Sequence, residues 1–169
     1  MLTIHPENPG DIEAIDRINR QAFRGDDEAR LVEALRTAEA MILSLVAELD
    51  GAYVGHILFS PATVVDGGKS TPVVALAPMA VLPQHQRGGI GSKLVVEGLQ
   101  LLRLMGHRAV AVLGHPEYYP RFGFGPSLNY GITCHYPAGP EYFMMLELRE
   151  HTLDGVTGTV HYHPAFAAL

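Results

Sequence analysis

A chain of 169 residues with 47% hydrophobic and 18% charged residues can bury a full core and is too apolar for intrinsic disorder. Its net charge of −6 disfavours a nucleic-acid-binding surface, and it has no run of about 18 apolar residues that could span a membrane. The single cysteine excludes an internal disulfide and no secretory signal is visible, so we expect one cytoplasmic domain over residues 1–169.

The chain before residue 70 predicts helices followed by antiparallel strands. The predicted elements are a strand, two helices and two strands, at Leu2–His5, Ile12–Phe23, Ala29–Leu35, Met41–Leu49 and Ala52–Val65. Apolar residues recur at helical spacing in both helices. Asp50 and Gly51, between the last two strands, are a strong hairpin signal.

A buried strand is predicted at Val73–Leu82, which carries almost no polar residue. Pro78 interrupts this run. Because proline has no N–H to donate to a neighbouring strand, we expect a bulge or a break in pairing there.

A glycine-rich turn follows this strand and opens a helix. The turn reads Gln86-Arg87-Gly88-Gly89-Ile90-Gly91, and its glycines let backbone amides approach a ligand with no Cβ in the way. The helix ends at Gly106 and has an apolar face formed by Ile90, Leu94, Gly98, Leu101, Leu102 and Met105. Exposed amides at a helix N-terminus predict an anion site for a phosphate or pyrophosphate.

Two common phosphate-binding patterns do not match this turn. The nucleoside triphosphatase loop requires Gly-Lys-Ser/Thr, whereas the order here is Gly91-Ser92-Lys93. The dinucleotide fingerprint Gly-x-Gly-x-x-Gly is not supplied by Gly88–Gly91. On the glycines alone, a tight strand-to-helix connection without a ligand stays open as the alternative.

The rest of the chain predicts more strands. Arg108–Leu113 is a second buried strand, and the strand–helix–strand order makes it parallel to the first. Further strands are predicted at Tyr130–Tyr136, Tyr142–Leu148 and Gly158–Tyr162. The fold class is α/β (α+β): a mixed, mostly antiparallel sheet of about seven strands, with one parallel β-α-β crossover and helices on both faces.

Three stretches resemble signatures of the GNAT superfamily of N-acyltransferases. Gln86, Gly89 and Gly91 fit Gln-x-x-Gly-x-Gly, which resembles the acyl-coenzyme A (acyl-CoA) binding motif of that family. Upstream, Met79–Pro83 resembles its strand-end pattern x-x-V-x-P, and downstream, Tyr118–Phe124 resembles its Y-x-x-x-G-F signature. The resemblance implies the acyl-CoA N-acyltransferase fold, in which two parallel strands splay apart at a bulge and hold the pantetheine arm of the cofactor in the gap.

The same resemblance implies acetyl-CoA as the co-substrate. It assigns the pantetheine amides to the backbone of the strand end and the phosphates to the turn. The residues so assigned are Met79, Ala80, Val81, Gln86, Arg87, Gly88, Gly89, Ile90, Gly91 and Ser92. Arg87, Lys93 and Arg121 are the cationic candidates for the phosphates, with a solvated surface role as the alternative.

The resemblance also implies a tyrosine that protonates the leaving thiolate. The alignment puts this role on Tyr119, with Tyr118 as the neighbour that could be meant instead, and with a packed core tyrosine as the alternative. The strand Val73–Leu82 contains no acid, which departs from relatives that carry a general base there. His115 at a strand end and Glu28 near the start of a helix are candidate bases, and a water relay could serve without either.

Two classes of function follow. The first is an enzyme that moves an acetyl group to a small-molecule or peptide amine, and the second is a non-catalytic acyl-CoA binding or sensor module. His161 and His163 lie two apart on a predicted strand with no Cys/His/Asp cluster beside them, so no metal site is predicted. We expect no nucleic-acid or membrane partner, and the C-terminal strands leave a homodimer open.

Overall fold

The computed structural model of the chain describes residues 1–168. Within them lie three helices, α1 Ile12–Phe23, α2 Asp27–Thr37 and α3 Ile90–Leu104. The strands of the described residues are β1 Leu2–Pro6, β2 Leu43–Leu49, β3 Ala52–Asp66, β4 Lys69–Val81, β5 Ala109–Leu113, β6 Gly125–Pro126, β7 Ile132–Cys134, β8 Phe143–Glu147 and β9 Gly158–Tyr162. None of the described helices has the length and apolar character that a bilayer crossing requires.

The contacts divide the chain into two compact units. Unit 1 contains Met1–Ser60, Ala77–Gln100 and the residues from Pro164 onward, and unit 2 contains Pro61–Leu76 and Leu101–His163. β3, β4 and α3 each begin in one unit and end in the other.

Unit 1 is built on the antiparallel run β1–β2–β3. β1 pairs with β2 from Leu2 to Pro6, and β2 pairs with the first part of β3. Asp50 and Gly51 join β2 to β3 with φ values of 51° and 84°, the backbone that a tight two-residue hairpin needs. The predicted hairpin is therefore confirmed.

A chain of hydrogen bonds runs through unit 1. Arg36 donates to both carboxylate oxygens of Glu7 at 3.0 Å, and Ser44 Oγ donates to Glu7 at 2.7 Å. The Ser44 oxygen then accepts from Nε2 of His56 at 2.9 Å, and Nδ1 of His56 accepts from the Asn19 amide at 3.1 Å. Ser44 donates its only proton to Glu7, so its oxygen must accept a proton from Nε2 of His56. Because Asn19 donates to Nδ1, His56 is held as the neutral Nε2–H tautomer. Burial lowers the pKa of His56 to about 4.

Unit 2 contains the parallel strands. Val74 and Ala75 of β4 pair in parallel with Val110 and Ala111 of β5, which confirms the predicted crossover. β5 pairs antiparallel with β8, and β8 pairs antiparallel with β6. A second parallel pair, β7 with β9, was not predicted, and β9 also pairs antiparallel with the last part of β3.

The β4–β5 pairing is short. Among residues 1–168 it covers only Val74 and Ala75 on β4, and it ends before Pro78. The break in pairing predicted from Pro78 is therefore observed, because the residues of β4 from Leu76 onward have no register partner on β5.

Three details differ from the sequence prediction. The strand predicted at Tyr130–Tyr136 is shortened to β7, because Tyr130 ends a 3-10 turn and Gly131 has a φ of 72°. The two-residue β6 was not predicted and contributes to a strand count of nine in the described residues, instead of about seven. Met105, predicted on the buried face of α3, is 51% exposed because the helix ends at Leu104.

The end of α3 is otherwise as predicted. Gly106 has a φ of 86°, and its N–H donates to the carbonyl of Arg103 at 3.1 Å. The N–H of His107 donates to the carbonyl of Leu102 at 3.1 Å. These two bonds satisfy carbonyls that the helix end would leave without partners, so Gly106 is the terminator that the sequence indicated.

Candidate functional site

The glycine turn, residues 86–91, lies in unit 1 between the end of β4 and the start of α3. Arg87 has a φ of 65° and Gly89 a φ of 86°, so the backbone of both residues lies in the left-handed region. Lys93 N–H donates to the Gly89 carbonyl at 3.1 Å, which is the first hydrogen bond of the helix. Residues 86–89 are exposed to solvent.

The amides of this turn are available to a ligand. Within residues 1–168, no backbone carbonyl accepts the N–H groups of residues 87–91. They stand at the N-terminus of α3, where the helix dipole favours negative charge. A row of backbone donors at this position, of which those of residues 87–89 belong to exposed residues, is suited to an anion such as a pyrophosphate.

Gln86 has a partner within the chain. Its Nε2 donates to the carbonyl of Val81 at 3.0 Å, across the five-residue step from the end of β4 to the turn. Gln86 therefore closes the turn onto the strand. The sequence had assigned it to the cofactor, and that assignment stays a prediction.

Two glycines let α3 approach β3 closely in unit 1. A Cβ at Gly55 would lie 3.1 Å from Leu94 Cδ1 and 3.2 Å from Ile90 Cγ2. A Cβ at Gly98 would lie 2.4 Å from Cε2 of the fully buried Phe59. These two close approaches fix α3, whose first turn carries the amides of the glycine turn. Gly55 was not identified from the sequence.

The predicted pantetheine-binding strand end has one covered side. Ala80 and Leu82 are buried in a cluster with Ile18 of α1, while Met79 and Val81 are half-buried. Leu82 N–H donates to the Val54 carbonyl at 2.9 Å. The backbone of Met79–Val81 is thus held in place by packing, as a binding strand requires.

Glu28, a candidate base, lies in the first turn of α2 in unit 1 and is half-buried. Among residues 1–168 it forms no ion pair, so its carboxylate is not committed to a cation of this chain. This position near the α1–α2 connection does not test whether Glu28 acts as a base, so that role stays a prediction.

The tyrosine corner, residues 114–124, lies in unit 2 directly after β5. Tyr119 is buried, with its ring edge-on to Tyr118 at 5.0 Å and to Phe124 at 5.7 Å between centroids. The ring of Phe122 lies 6.3 Å from the ring of Tyr119 between centroids. The ring is therefore surrounded by other aromatic rings, and its position is fixed by packing.

The hydroxyl of Tyr119 is less enclosed than its ring. Within the described residues it makes no hydrogen bond, and it is not among the fully buried polar atoms that lack a partner. Burial, with a smaller contribution from Tyr118, raises the pKa of Tyr119 to about 12. At neutral pH this group is a protonated donor with no acceptor in the described part of the chain.

His115 and Arg121 contribute mainly backbone and stacking contacts to the corner. The His115 carbonyl accepts the N–H groups of Tyr118 at 3.1 Å and Tyr119 at 3.4 Å, and its side chain is exposed. The Arg121 guanidinium lies 4.4 Å over the Tyr118 ring, and its Nε donates to the Tyr118 carbonyl at 2.8 Å. Arg121, a predicted phosphate ligand, is thus already engaged within the corner.

From the sequence, Gly114 is predicted only as part of the segment that ends the strand Arg108–Leu113, and not as a site residue. A Cβ placed there would lie 2.3 Å from Cε2 and 2.7 Å from Cδ2 of Tyr119. The only signal in the sequence is a glycine at the end of a buried strand, five residues before the tyrosine, and that signal does not specify what fills the space.

The histidines do not assemble a metal site among residues 1–168, where no three ligating side chains come together. His161 of β9 lies against the ring of His135 at 4.7 Å between centroids. This pair is a ring contact at the end of β7 and β9.

Comparisons with known proteins give a consistent match. The family model for the acetyltransferase (GNAT) domain matches residues 3–127. The N-acetyltransferase YhbS of Escherichia coli K12 is 38% identical over 166 residues, covering 98% of both chains. The N-acetyltransferase YjhQ of the same strain is 38% identical over 164 residues, covering 95% of this chain and 90% of YjhQ.

Two solved structures are also similar over nearly the whole chain. The crystal structure of E. coli YhbS in complex with CoA has a TM-score of 0.92 at 38% identity, covering 98% of this chain and 92% of YhbS. A GNAT family acetyltransferase from Brucella melitensis in complex with acetyl-CoA has a TM-score of 0.80 at 40% identity, with 98% of each chain covered.

Proposed function

Because this chain belongs to the GNAT family of acetyltransferases, we propose that it transfers an acetyl group from acetyl-CoA to a primary amine, with Tyr119 as the general acid. The chain is an N-acetyltransferase that uses acetyl-CoA. The acceptor and the residue roles are the content of the proposal.

The observation that carries the proposal is the row of amides in the glycine turn that have no backbone acceptor within residues 1–168. They are five consecutive N–H groups at the start of α3. Such a row of donors suits the negative charge of a pyrophosphate, which the acyl-CoA cofactor carries. The relatives crystallised with CoA and acetyl-CoA support the same assignment.

The proposed cofactor contacts are therefore backbone contacts. The amides of Arg87 to Gly91 would hold the pyrophosphate, with Ser92 next in line, and the exposed Arg87 side chain would add a charge-assisted bond. The strand end Met79–Val81 would pair with the pantetheine amides as an added strand.

The chemistry joins two bond changes. The amine nitrogen attacks the carbonyl carbon of the thioester, the carbon–sulfur bond breaks, and the acetyl group becomes an amide. The nucleophilic nitrogen loses one proton, and the leaving sulfur gains one. A donor placed at the sulfur lowers the barrier because negative charge develops there as the bond breaks.

Tyr119 suits the role of proton donor because its hydroxyl is protonated at neutral pH. With a pKa of about 12 it is protonated throughout the physiological range. An ordinary thiol has a pKa of about 8.5, so full proton transfer from Tyr119 to a solvated thiolate would be uphill by roughly 5 kcal/mol. The hydroxyl therefore stabilises the developing charge by a hydrogen bond, and its proton passes to the sulfur while the thiolate is shielded from water. A proton from solvent then restores the Tyr119 hydroxyl.

The proton of the amine needs a separate acceptor. His115 and Glu28 are the candidates from the sequence, and neither side chain forms an ion pair within the described residues. A water relay serves equally well if the acceptor amine arrives neutral. The chain's net charge of −6 favours an amine-bearing acceptor over an anionic one, whether small molecule or peptide.

The test compares Tyr119→Phe with Tyr118→Phe, which removes the neighbouring hydroxyl. Free thiol release is followed with a panel of primary amines, and acetyl-CoA binding is measured by calorimetry. Tyr119→Phe is expected to slow turnover by about 100-fold or more with unchanged binding, and Tyr118→Phe to have little effect. A wild-type rate for Tyr119→Phe would remove the proposed acid.

Three further expectations accompany this function. A cytoplasmic location and a homodimer stay predictions, as does the organisation of residues 1–169 as one domain.

A further inference from the structure

Gly114 and Tyr119 compete for the same space in unit 2. A Cβ on Gly114 would lie 2.3 Å from Cε2, 2.7 Å from Cδ2 and 3.3 Å from Cζ of the Tyr119 ring. Carbon atoms in contact normally lie about 3.5–4.0 Å apart. The ring edge next to the hydroxyl therefore occupies the volume that any side chain at position 114 would fill.

The backbone of Gly114 does not require glycine. Its φ lies outside the left-handed region, so an alanine could adopt it without strain. Its N–H donates to the carbonyl of Tyr142 at 2.9 Å, which fixes this residue to the 3-10 turn that precedes β8. The missing side chain consequently serves only to admit the tyrosine ring.

The ring has little freedom to retreat. Tyr118, Phe122 and Phe124 lie around it, and Phe124 is itself buried. Gly123, with a φ of 104°, makes the turn that brings Phe124 back to the ring, and a Cβ there would press on Leu146 at 3.0 Å. A methyl group at position 114 would have to move the ring by about 1 Å to restore normal contact.

We propose that Gly114 is a positioning residue, which places the Tyr119 hydroxyl for reaction by leaving its own side-chain volume to the ring. This inference rests on the proposed function of Tyr119 as the acid. A displacement of about 1 Å at a reacting group can lower a rate by about 100-fold, so the size of the glycine is a determinant of turnover.

The experiment is a double-mutant cycle of Gly114→Ala and Tyr119→Phe, with Gly125→Ala as the matched control. A Cβ at Gly125 would meet Asn129 Nδ2 at 3.9 Å, an ordinary contact, and its backbone is likewise outside the left-handed region. Turnover is measured as free thiol release with the amine panel and with water as the acceptor. Acetyl-CoA affinity is measured by calorimetry for every variant.

Gly114→Ala is expected to lower kcat by about 10- to 100-fold with acetyl-CoA affinity unchanged. In the Tyr119→Phe background the same change should add less than about twofold, because the hydroxyl that it displaces is already absent. Gly125→Ala should keep the wild-type rate. A general structural defect would instead slow both backgrounds equally, and that result would overturn the inference.

The two failures are distinguishable. If Tyr119→Phe turns over at the wild-type rate, the proposed acid is wrong. If Tyr119→Phe is slow and Gly114→Ala is not, the acid stands and the positioning role is wrong. Should Gly114→Ala fail to fold, the variant Gly114→Ala/Tyr119→Leu must fold if the ring is what the methyl group strikes, and its failure would overturn the inference as well.

Discussion

Gly89 of the glycine turn and Gly114 of the tyrosine corner both lack a side chain for a physical reason, and the two reasons differ. At Gly89 the φ is 86° and an added Cβ would meet nothing within 4 Å. At Gly114 the φ is ordinary and an added Cβ would collide with Tyr119 at 2.3 Å. The first glycine is needed for its backbone conformation and the second for its volume.

The difference matches what each region offers to chemistry. The turn presents backbone amides, so it needs a backbone conformation in which a ligand can reach those amides. The corner presents one hydroxyl, so its requirement is a fixed ring and a controlled environment. Substitutions that respect one requirement and violate the other can therefore separate cofactor binding from turnover.

The largest effect is expected from Gly89→Val. A β-branched residue is disfavoured at a φ of 86°, so the turn must rearrange and its amides lose their common direction. Loss of two charge-assisted hydrogen bonds corresponds to about 100-fold or more in acetyl-CoA affinity, measured by calorimetry on a variant whose circular dichroism is unchanged.

Gly88→Ala is the matched control for that measurement. Its Cβ would lie 3.5 Å from the His85 carbonyl oxygen, an ordinary contact, and its φ is outside the left-handed region. It should bind acetyl-CoA within about threefold of wild type. If both substitutions lowered acetyl-CoA affinity equally, the turn would be sensitive to side-chain volume, and the positive φ of Gly89 would not be the reason that it must be glycine.

The contrast also explains which parts could be predicted from the sequence. The turn could be identified because the spacing of its glycines indicates its function. The strand before it and the helix after it follow from the pattern of apolar residues. The hairpin at Asp50-Gly51 and the helix end at Gly106 were predicted for the same reason, since each needs a residue that tolerates positive φ.

The corner was predicted only in outline. The Tyr119 position came from a signature, but its raised pKa depends on rings at Tyr118, Phe122 and Phe124 that the chain brings together only on folding. The role of Gly114 depends on a single interatomic distance. Likewise β6, β7 and the β7–β9 pairing rest on tertiary contacts of very short segments, which local propensity does not encode.

The next prediction concerns Gly98 in α3, a glycine that, like Gly114, is needed for its small volume. Alanine normally stabilises a helix interior relative to glycine by about 0.5–1 kcal/mol. Gly98→Ala in α3 should do the opposite and lower the free energy of unfolding by about 1–3 kcal/mol, because its Cβ would lie 2.4 Å from the buried Phe59 ring. Urea denaturation measures the sign directly.

The matched control for Gly98 is the double variant Gly98→Ala/Phe59→Leu. Leucine lacks the ring edge that the new methyl group strikes, so the double variant should lose less stability than the sum of the two single changes. Additive losses would show that Phe59 is not the partner that excludes a side chain at position 98.

The smallest effect concerns the corner's titration at high pH. Tyr119 is neutral when protonated, and its pKa of about 12 in the folded chain exceeds the ordinary value of 10.0. The folded state therefore holds this proton more tightly than the unfolded state. The resulting stability is complete below pH 10 and is lost as the pH rises toward 12.

Between about pH 9 and pH 11, wild type should lose about 1 kcal/mol more unfolding free energy than Tyr119→Phe, which has no proton to release. Urea denaturation at each pH measures this difference, and the other tyrosines cancel in the subtraction. Gly89→Val, whose change lies in unit 1, should keep the wild-type slope. Equal slopes for wild type and Tyr119→Phe would mean that water reaches the ring freely, and the corner would then lack the shielding on which its contrast with the turn depends.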